Sequence, residues 1–443
     1  MNKTSQEILP IIELFSSQSK INFYSKLFDE LDLSGIKNYS DSFLGRIGFS
    51  QHALVRSLIV MKTENISFIT NLLDFLNNNL KIAHLCGFDI LKSLPSPWTY
   101  YKYLKNTLEN SEIKNLMQNL VLELKTANVI SGKNISMDST CIKANVKNNN
   151  PKNFQKNKFD PKRQPKNDKN CKIGVTASNN ENRKGAKQEF YWGYKDHILL
   201  DADSGLPIDH ETTRANVHDS KKAISILSRA HNRFDFKNFN FIGDKGYDAN
   251  KIYNFVHKKL KDMAYIPLKR TKKTRLGLSD DGTPICQAGL LMKNAGVCCD
   301  YSKSGKKILR ERRKFRCPVL LSIKRLRNGE SCPVNHDKFY NGKNKNLLGY
   351  GCTTYIDFKD NFRHFFNRDS RRFKKIYKLR TGSERYNARF KMLDFEDASL
   401  TNFASIQNLN TLGHITLLLV AKAAVKQYKP ELIRSLVKLK RAA

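Results

Sequence analysis

The chain has 443 residues, too long for one ordinary core, so two or three domains are expected. Its formal net charge is +37, from 78 Lys and Arg against 41 Asp and Glu. A field of that sign needs a polyanionic partner, and nucleic acid is the usual one, although a genome biased toward Lys, Asn and Ile would supply part of the excess. No segment has the unbroken apolar length to span a membrane. The start, MNKTSQEILPIIELF, lacks the basic-then-apolar order of a secretion signal, which predicts a cytoplasmic protein.

Residues 1–125 read as an all-helical N-terminal domain. Leu54, Leu58 and Ile59 fall at helical spacing behind Ser50, a suitable N-cap. Pro95-Ser96-Pro97 marks a turn, and Thr99 to Leu104 opens another helix. Helix, turn and helix in a basic chain fit a DNA-binding or dimerising module, and equally a plain helical bundle. From Ile135 the texture changes: NISMDSTCIKANV reads as a strand. The run 146–173, rich in Lys, Asn and Pro, cannot bury itself and reads as a flexible basic loop. EFYWGYKDHILLDADSGLPIDHETTRA reads as a hairpin turning at Asp203-Ser204-Gly205. VHDSKKAISILSRA is expected to be a helix capped by Asp219, with Ala223, Ile224, Leu227 and Ala230 inward. FNFIGD is a buried strand, DANKIYNFVHKKL a helix capped by Asp248, and MAYIPL a short strand.

Strands linked through helices lie parallel, so the order predicts an α/β core with a mixed five-stranded sheet. Residues 130–269 and 366–425 would form that core, interrupted by a β-rich insertion at 270–365. RRFKKIYKLRTGSERYNARFKML reads as one helix, weakened at Gly382. LGHITLLLVAKAAVKQY is a further helix. The sequence has nine cysteines, an odd number without tight spacing, and reduced thiols are the default. Cys86 and Cys141 read as small core residues. Cys286, Cys298, Cys299, Cys317, Cys332 and Cys352 fall in the insertion without a CxxC pair, which favours plain thiols over a structural zinc site. Trp98 and Trp192 are expected in the core rather than stacked on bases.

Three acidic positions carry chemistry. Asp138 lies in the first strand, and Asp244 ends FNFIGD before Lys245-Gly246-Tyr247. Strand ends in open α/β sheets converge on ligand sites. Carboxylates brought together there repel unless a divalent cation lies between them, and hard oxygen donors suit Mg²⁺ or Mn²⁺. Each Asp taken singly also fits a turn or strand cap. Tyr377, Arg380, Glu384 and Lys391 stand three, four and seven residues apart. On one helix they would share roughly 60° of arc at about 100° per residue. Glu384 would then bind metal while Arg380 and Lys391 hold phosphates.

That spacing resembles the tyrosine-arginine-glutamate-lysine signature of a large group of insertion-sequence DDE transposases. SMDST, FIGDKGYD and GYKDHILLDADSGLPIDHETTRANVHDS are similar to companion motifs of the same group, and LCGF…LPSPWTYYKYLK to its N-terminal helices. The resemblance implies an RNase H-like catalytic fold in which Asp138, Asp244 and Glu384 hold two Mg²⁺ or Mn²⁺ ions. It implies that Tyr377, Arg380 and Lys391 bind DNA. His218 and Asp219 would lie near this site, although a cap suits Asp219 better. The implied activity is cleavage at the ends of an insertion sequence, followed by joining of the 3′-OH to target DNA, two phosphoryl transfers at one site. Two ends need two sites, hence a homodimer on double-stranded DNA of the bacterial nucleoid, with no membrane and no nucleotide cofactor. A catalytically inactive or co-opted DNA-binding protein, and a free nuclease of the same fold, fit the same acids. Inverted repeats bracketing the coding region would separate them.

Overall fold

The computed structural model describes residues 18–39, 48–178, 187–269, 277, 283–301, 309–322, 328–341, 344–357, 362–364, 368 and 370–442. The segment read for a secretion signal lies outside them, as do residues 40–47 of the expected helical region. The chain divides into two compact units, Met1–Phe236 with Thr381–Ala443, and Lys237–Arg380.

The first unit begins with helices α1 (Gln18–Asp29), α2 (Gln51–Thr63), α3 (Ile69–Asn78), α4 (Leu80–Cys86), α5 (Pro97–Lys102) and α6 (Asn110–Thr126). The Ser50 side chain accepts from Ala53 N and caps α2, whose Leu54, Leu58 and Ile59 are buried as expected. Pro97 starts α5, where a missing N–H leaves no bond unmade. Four strands follow: β1 (Asn134–Lys143), β2 (Lys172–Ser178), β3 (Lys187–Asp201) and β4 (Leu206–Arg214). All pair antiparallel through β3, with Asp138 opposite Ile198, Trp192 opposite Ile173 and Asp196 opposite Thr212. Strand β2 was not expected. Its KIGVTAS is weakly patterned, and the long partner β3 supplies the ladder that local preference does not. Residues 146–171 are irregular but tied down: Trp192 Nε1 donates to Lys158 O at 2.8 Å and the Asn149 amide bonds both Trp192 N and O. Trp192 is buried as expected, whereas Trp98 is 71% exposed, contrary to its expected place in the core.

Helix α7 (Ala223–Phe234) buries Ala223, Ile226, Leu227 and Ala230, with Ile226 taking the inward place expected of Ile224. The unit closes with α10 (Thr381–Lys391), α11 (Phe403–Lys426) and α12 (Leu436–Ala442), numbered after two helices of the second unit. Helix α11 is buried on nearly every face and is packed by α6, β4 and α2.

In the second unit β5 (Asn240–Gly243) and β6 (Met263–Tyr265) pair in parallel, with α8 (Asn250–Asn254) between them in the chain. Both kinds of ladder are thus present, and the strands so far number six rather than the five expected. Strands β7 (Lys293–Tyr301), β8 (Leu309–Arg316) and β11 (Thr353–Asp357) form an antiparallel sheet with β8 central, and β9 (Tyr340–Asn341) pairs with β10 (Asn344–Leu348). Helix α9 (Arg371–Tyr377) gives way to a 3-10 turn at Lys378–Arg380. The single helix expected over this region is therefore α9, a tighter turn and α10, so the arc argued for a regular helix holds only within each piece. Among the described residues no helix is long and apolar enough to cross a membrane.

Candidate active site

Alternation along β1 buries Ser136 and half-buries Asp138, two residues apart on one face of the strand. Helix α10 lies against that face. Ser383 Oγ donates to Ser136 Oγ at 2.8 Å, both side chains fully buried, and Asn387 Nδ2 donates to Asp138 Oδ2 at 3.2 Å. The two bonds match in pitch: four helical residues advance about 6 Å and two strand residues about 6.6 Å. Glu384 is exposed and stands three residues before Asn387, on the neighbouring helical position. The fold therefore brings the helix carrying Glu384 onto the strand carrying Asp138. Asp138 Oδ1 accepts its neighbour's Ser139 N at 2.9 Å.

Asp244 belongs to the second unit. It follows β5 and caps the 3-10 turn Lys245–Tyr247, with Oδ1 accepting Gly246 N at 2.7 Å. Tyr377 stacks on Phe373 with ring centroids 5.7 Å apart, and Arg380 ends the 3-10 turn, both in the second unit. Lys391, in the first, forms an ion pair with Glu396 at 2.8 Å.

Two expected caps are corrected. Asp219 does not cap α7. His218 caps the short turn Asp219–Lys221, while Asp219 accepts from Ser139 Oγ at 3.0 Å and Lys195 Nζ at 3.3 Å. Half-buried Ser139 and Lys195 need an acceptor more than a helix end open to water does. Asp248 likewise leaves the start of α8 to Ala249 and binds Arg363, Lys269 N and Tyr253 OH. Burial opposes its ionisation, but these donors hold its carboxyl below the usual range.

Within the first unit, the carboxylate oxygens of Asp138 and of the helix residue Glu384 are donors of the kind that suits a hard divalent cation. Beside Asp138, Asn387 Oδ1 is a buried acceptor without a donor, the kind of atom a hydrated cation satisfies.

One polar cluster escaped the sequence reading. Asp196, His210 and His414 are fully buried with ligand-type atoms within 4.8 Å of one another. Asp196 Oδ1 meets His210 Nδ1 at 3.0 Å, and Oδ2 meets His414 Nε2 at 2.6 Å. The remaining ring nitrogens are taken: His210 Nε2 by Thr411 Oγ1 and His414 Nδ1 by Tyr386 OH. With each nitrogen engaged, the cluster is a hydrogen-bonded hub that ties β3 and β4 to α11 and, through Tyr386, to the helix of Glu384. A histidine set in the apolar run LGHITLLL was the only sequence signal.

Strand and helix docked so that a carboxylate of one lies beside a carboxylate-bearing turn of the other, in a strongly basic chain, define a carboxylate-site α/β protein. Residues 135–419 match the transposase DDE domain family, and the chain belongs to that family. It is also similar to a solved structure of a piggyBac transposase synaptic complex with hairpin DNA, at 9% identity and TM-score 0.35, over 98% of this chain and 81% of that one. No curated sequence matches it.

Proposed function

We propose that the protein is a DNA transposase of the tyrosine-arginine-glutamate-lysine group, with an RNase H-like catalytic core. It binds the terminal inverted repeats of an insertion sequence as a homodimer, cleaves the DNA at its ends and joins the 3′-OH to target DNA. The observation that carries this reading is the family match over residues 135–419, which encloses all three acids and the whole signature. The bonds from Asn387 to Asp138 and from Ser383 to Ser136 support it, because they fix the helix of Glu384 on the strand of Asp138.

Asp138, Asp244 and Glu384 would hold two Mg²⁺ or Mn²⁺ ions. Bound there, such ions supply activation of the attacking oxygen and charge stabilisation of the leaving one in an in-line displacement. The chain's own residues orient the reaction. Asn387 restrains the Asp138 carboxylate, and the Ser383–Ser136 bond stops α10 from rotating Glu384 away. Lys391, exchanged from Glu396 onto DNA, would pair with a phosphate, as would Arg380, while Tyr377 borders the cut strand. The N-terminal helices would contribute end binding and dimerisation in the cytoplasm.

Asp138→Ala, Asp244→Ala and Glu384→Ala should each keep end binding in a gel shift. Each should lose metal-dependent cleavage and strand transfer by about 10²–10³-fold or more. Metal-dependent nicking at the wild-type rate in any one of them rejects its assignment. Cleavage without strand transfer by the wild-type protein would instead mark a nuclease.

A further inference from the structure

Cys286, Cys317, Cys332 and Cys352 are dispersed in sequence but line one small cavity in the second unit, beside His336. Its free volume of about 10 Å³ is roughly that of one water-sized sphere. That is room for a single ion, not for an organic ligand or an iron–sulfur cluster. Cys286, Cys317 and Cys332 are buried and none of the four is in a disulfide. Cys352 joins the two apolar clusters of this region, one around Cys317, Cys332 and Phe339, the other around Cys286, Met292 and Phe315. The Cys317 and Cys286 thiols lie beside its own and interact with it.

The backbone turns at or beside each cysteine. Gly289 N donates to Cys286 O and Cys286 N to Leu290 O, with Gly289 at φ +76°, a turn only glycine makes without strain. Asn335 N donates to Cys332 O, and His336 N donates to the Cys332 sulfur at 3.4 Å. Leu321 N closes a turn on Cys317 O. Gly351, at φ +65°, lets the chain of Cys352 press against Cys317, where an added Cβ would meet Cys317 Cβ at 2.6 Å. Cys317 and Cys332 each open the same tripeptide, Cys-Pro-Val. His336 spends its Nδ1 accepting Lys338 N, so it serves as a cap.

We infer that Cys286, Cys317, Cys332 and Cys352 bind one structural zinc ion. Four cysteines lining a one-ion space offer soft sulfur donors, which select zinc over the hard cations that suit carboxylates; no three of the sulfurs yet stand within 4.8 Å of one another, so binding draws them inward. On binding, each thiol gives its proton to solvent and its sulfur to the metal, so affinity rises with pH. The two cysteine-rich clusters around the cavity have few other buried apolar residues, and a small β-rich region of that kind needs a staple.

The test is elemental analysis of the full chain purified without chelator. One zinc per chain is expected. Cys317→Ser and Cys352→Ser should lose it, while Cys298→Ser, on β7 outside the cavity, should keep it. Should the serine variants fail to fold, cobalt exchanged into the wild-type protein gives the readout. Thiolate-to-cobalt charge-transfer absorption with tetrahedral ligand-field bands is expected. A wild-type protein that holds no zinc and gives no such spectrum overturns the inference, as does full zinc content in both variants.

Discussion

Asp196 lies fully buried between two imidazoles, and the acid behaviour of the fold follows from that position. Burial opposes its ionisation, yet His210 and His414 outweigh burial and hold the carboxyl well below its ordinary value. Burial and the nearby His210 drive His414 down to about 4 from 6.5. The neutral ring donates Nε2–H to Asp196 and accepts the Tyr386 hydroxyl at Nδ1. In the unfolded chain the same imidazole titrates near 6.5, so below that pH the unfolded state binds a proton that the folded state refuses. Stability is therefore full above about 6.5 and drains as pH falls toward about 4, by up to roughly 3 kcal/mol. Asp196 stays ionised in the fold across that window, and its own contribution begins to be lost only below about pH 5. Urea unfolding at pH 7.5 and pH 5 should show more than about 2 kcal/mol lost in the wild type, because half-buried His257, also held near 4, adds to the loss from His414. His414→Asn should be less stable throughout but flatter with pH. An equal slope in the variant would assign the acid sensitivity to other groups.

At the scale of elements, α11 is held by a contact that no substitution can widen. A Cβ on Gly413 would sit 2.1 Å from Phe395 Cζ. Phe395 cannot swing clear. Phe390 stacks on it at 4.2 Å, Lys62 Nζ lies 4.2 Å above its ring, and Phe390 is stacked in turn on His414 at 4.5 Å. Gly413→Ala gains helix propensity of about 1 kcal/mol but forces overpacking of about 1–3 kcal/mol, and a net loss is expected in chemical denaturation. A stabilised variant would mean that the Phe395 pocket relaxes. Much of this architecture was legible. Ser50, the apolar stripe of α2, the β3–β4 hairpin and the strand–helix–strand order at β5 and β6 all follow from local pattern. What pattern missed was decided by distant partners. The weak β2 exists because β3 is long enough to pair it, and Asp219 and Asp248 left their helix starts for cations and hydroxyls far away in sequence. The site shows the same division. Asp138 and Glu384 could be singled out by motif, but the Asn387 bridge and the Asp196 hub depend on residues hundreds of positions apart. The four cysteines lacked the close pairs that announce zinc in a sequence, because each occupies its own turn.

Over the whole molecule the excess of 37 positive charges draws in polyanions, while the number of phosphates contacted sets how binding responds to salt. A protein that neutralises Z phosphates of duplex DNA releases about 0.9Z counterions, so log affinity falls linearly with log salt. Six to ten contacts would weaken binding by about 10³–10⁵-fold between 50 and 200 mM salt. The phosphate contact proposed for Lys391 can be separated from bulk charge, because Lys391 lies in an exposed ion pair with Glu396 at 2.8 Å. Such a pair is worth less than about 1 kcal/mol, so exchanging Glu396 for a phosphate is inexpensive. Lys391→Ala should reduce the magnitude of the salt slope by about 1 and weaken binding similarly across DNA sequences. Glu396→Gln should tighten binding without flattening the slope, since it removes a competitor and leaves the contact. Lowering net charge by one at a lysine outside the site, as in Lys258→Ala, should change the slope far less. If all three variants gave the wild-type slope, Lys391 would touch no phosphate, and its place in the signature would need another explanation.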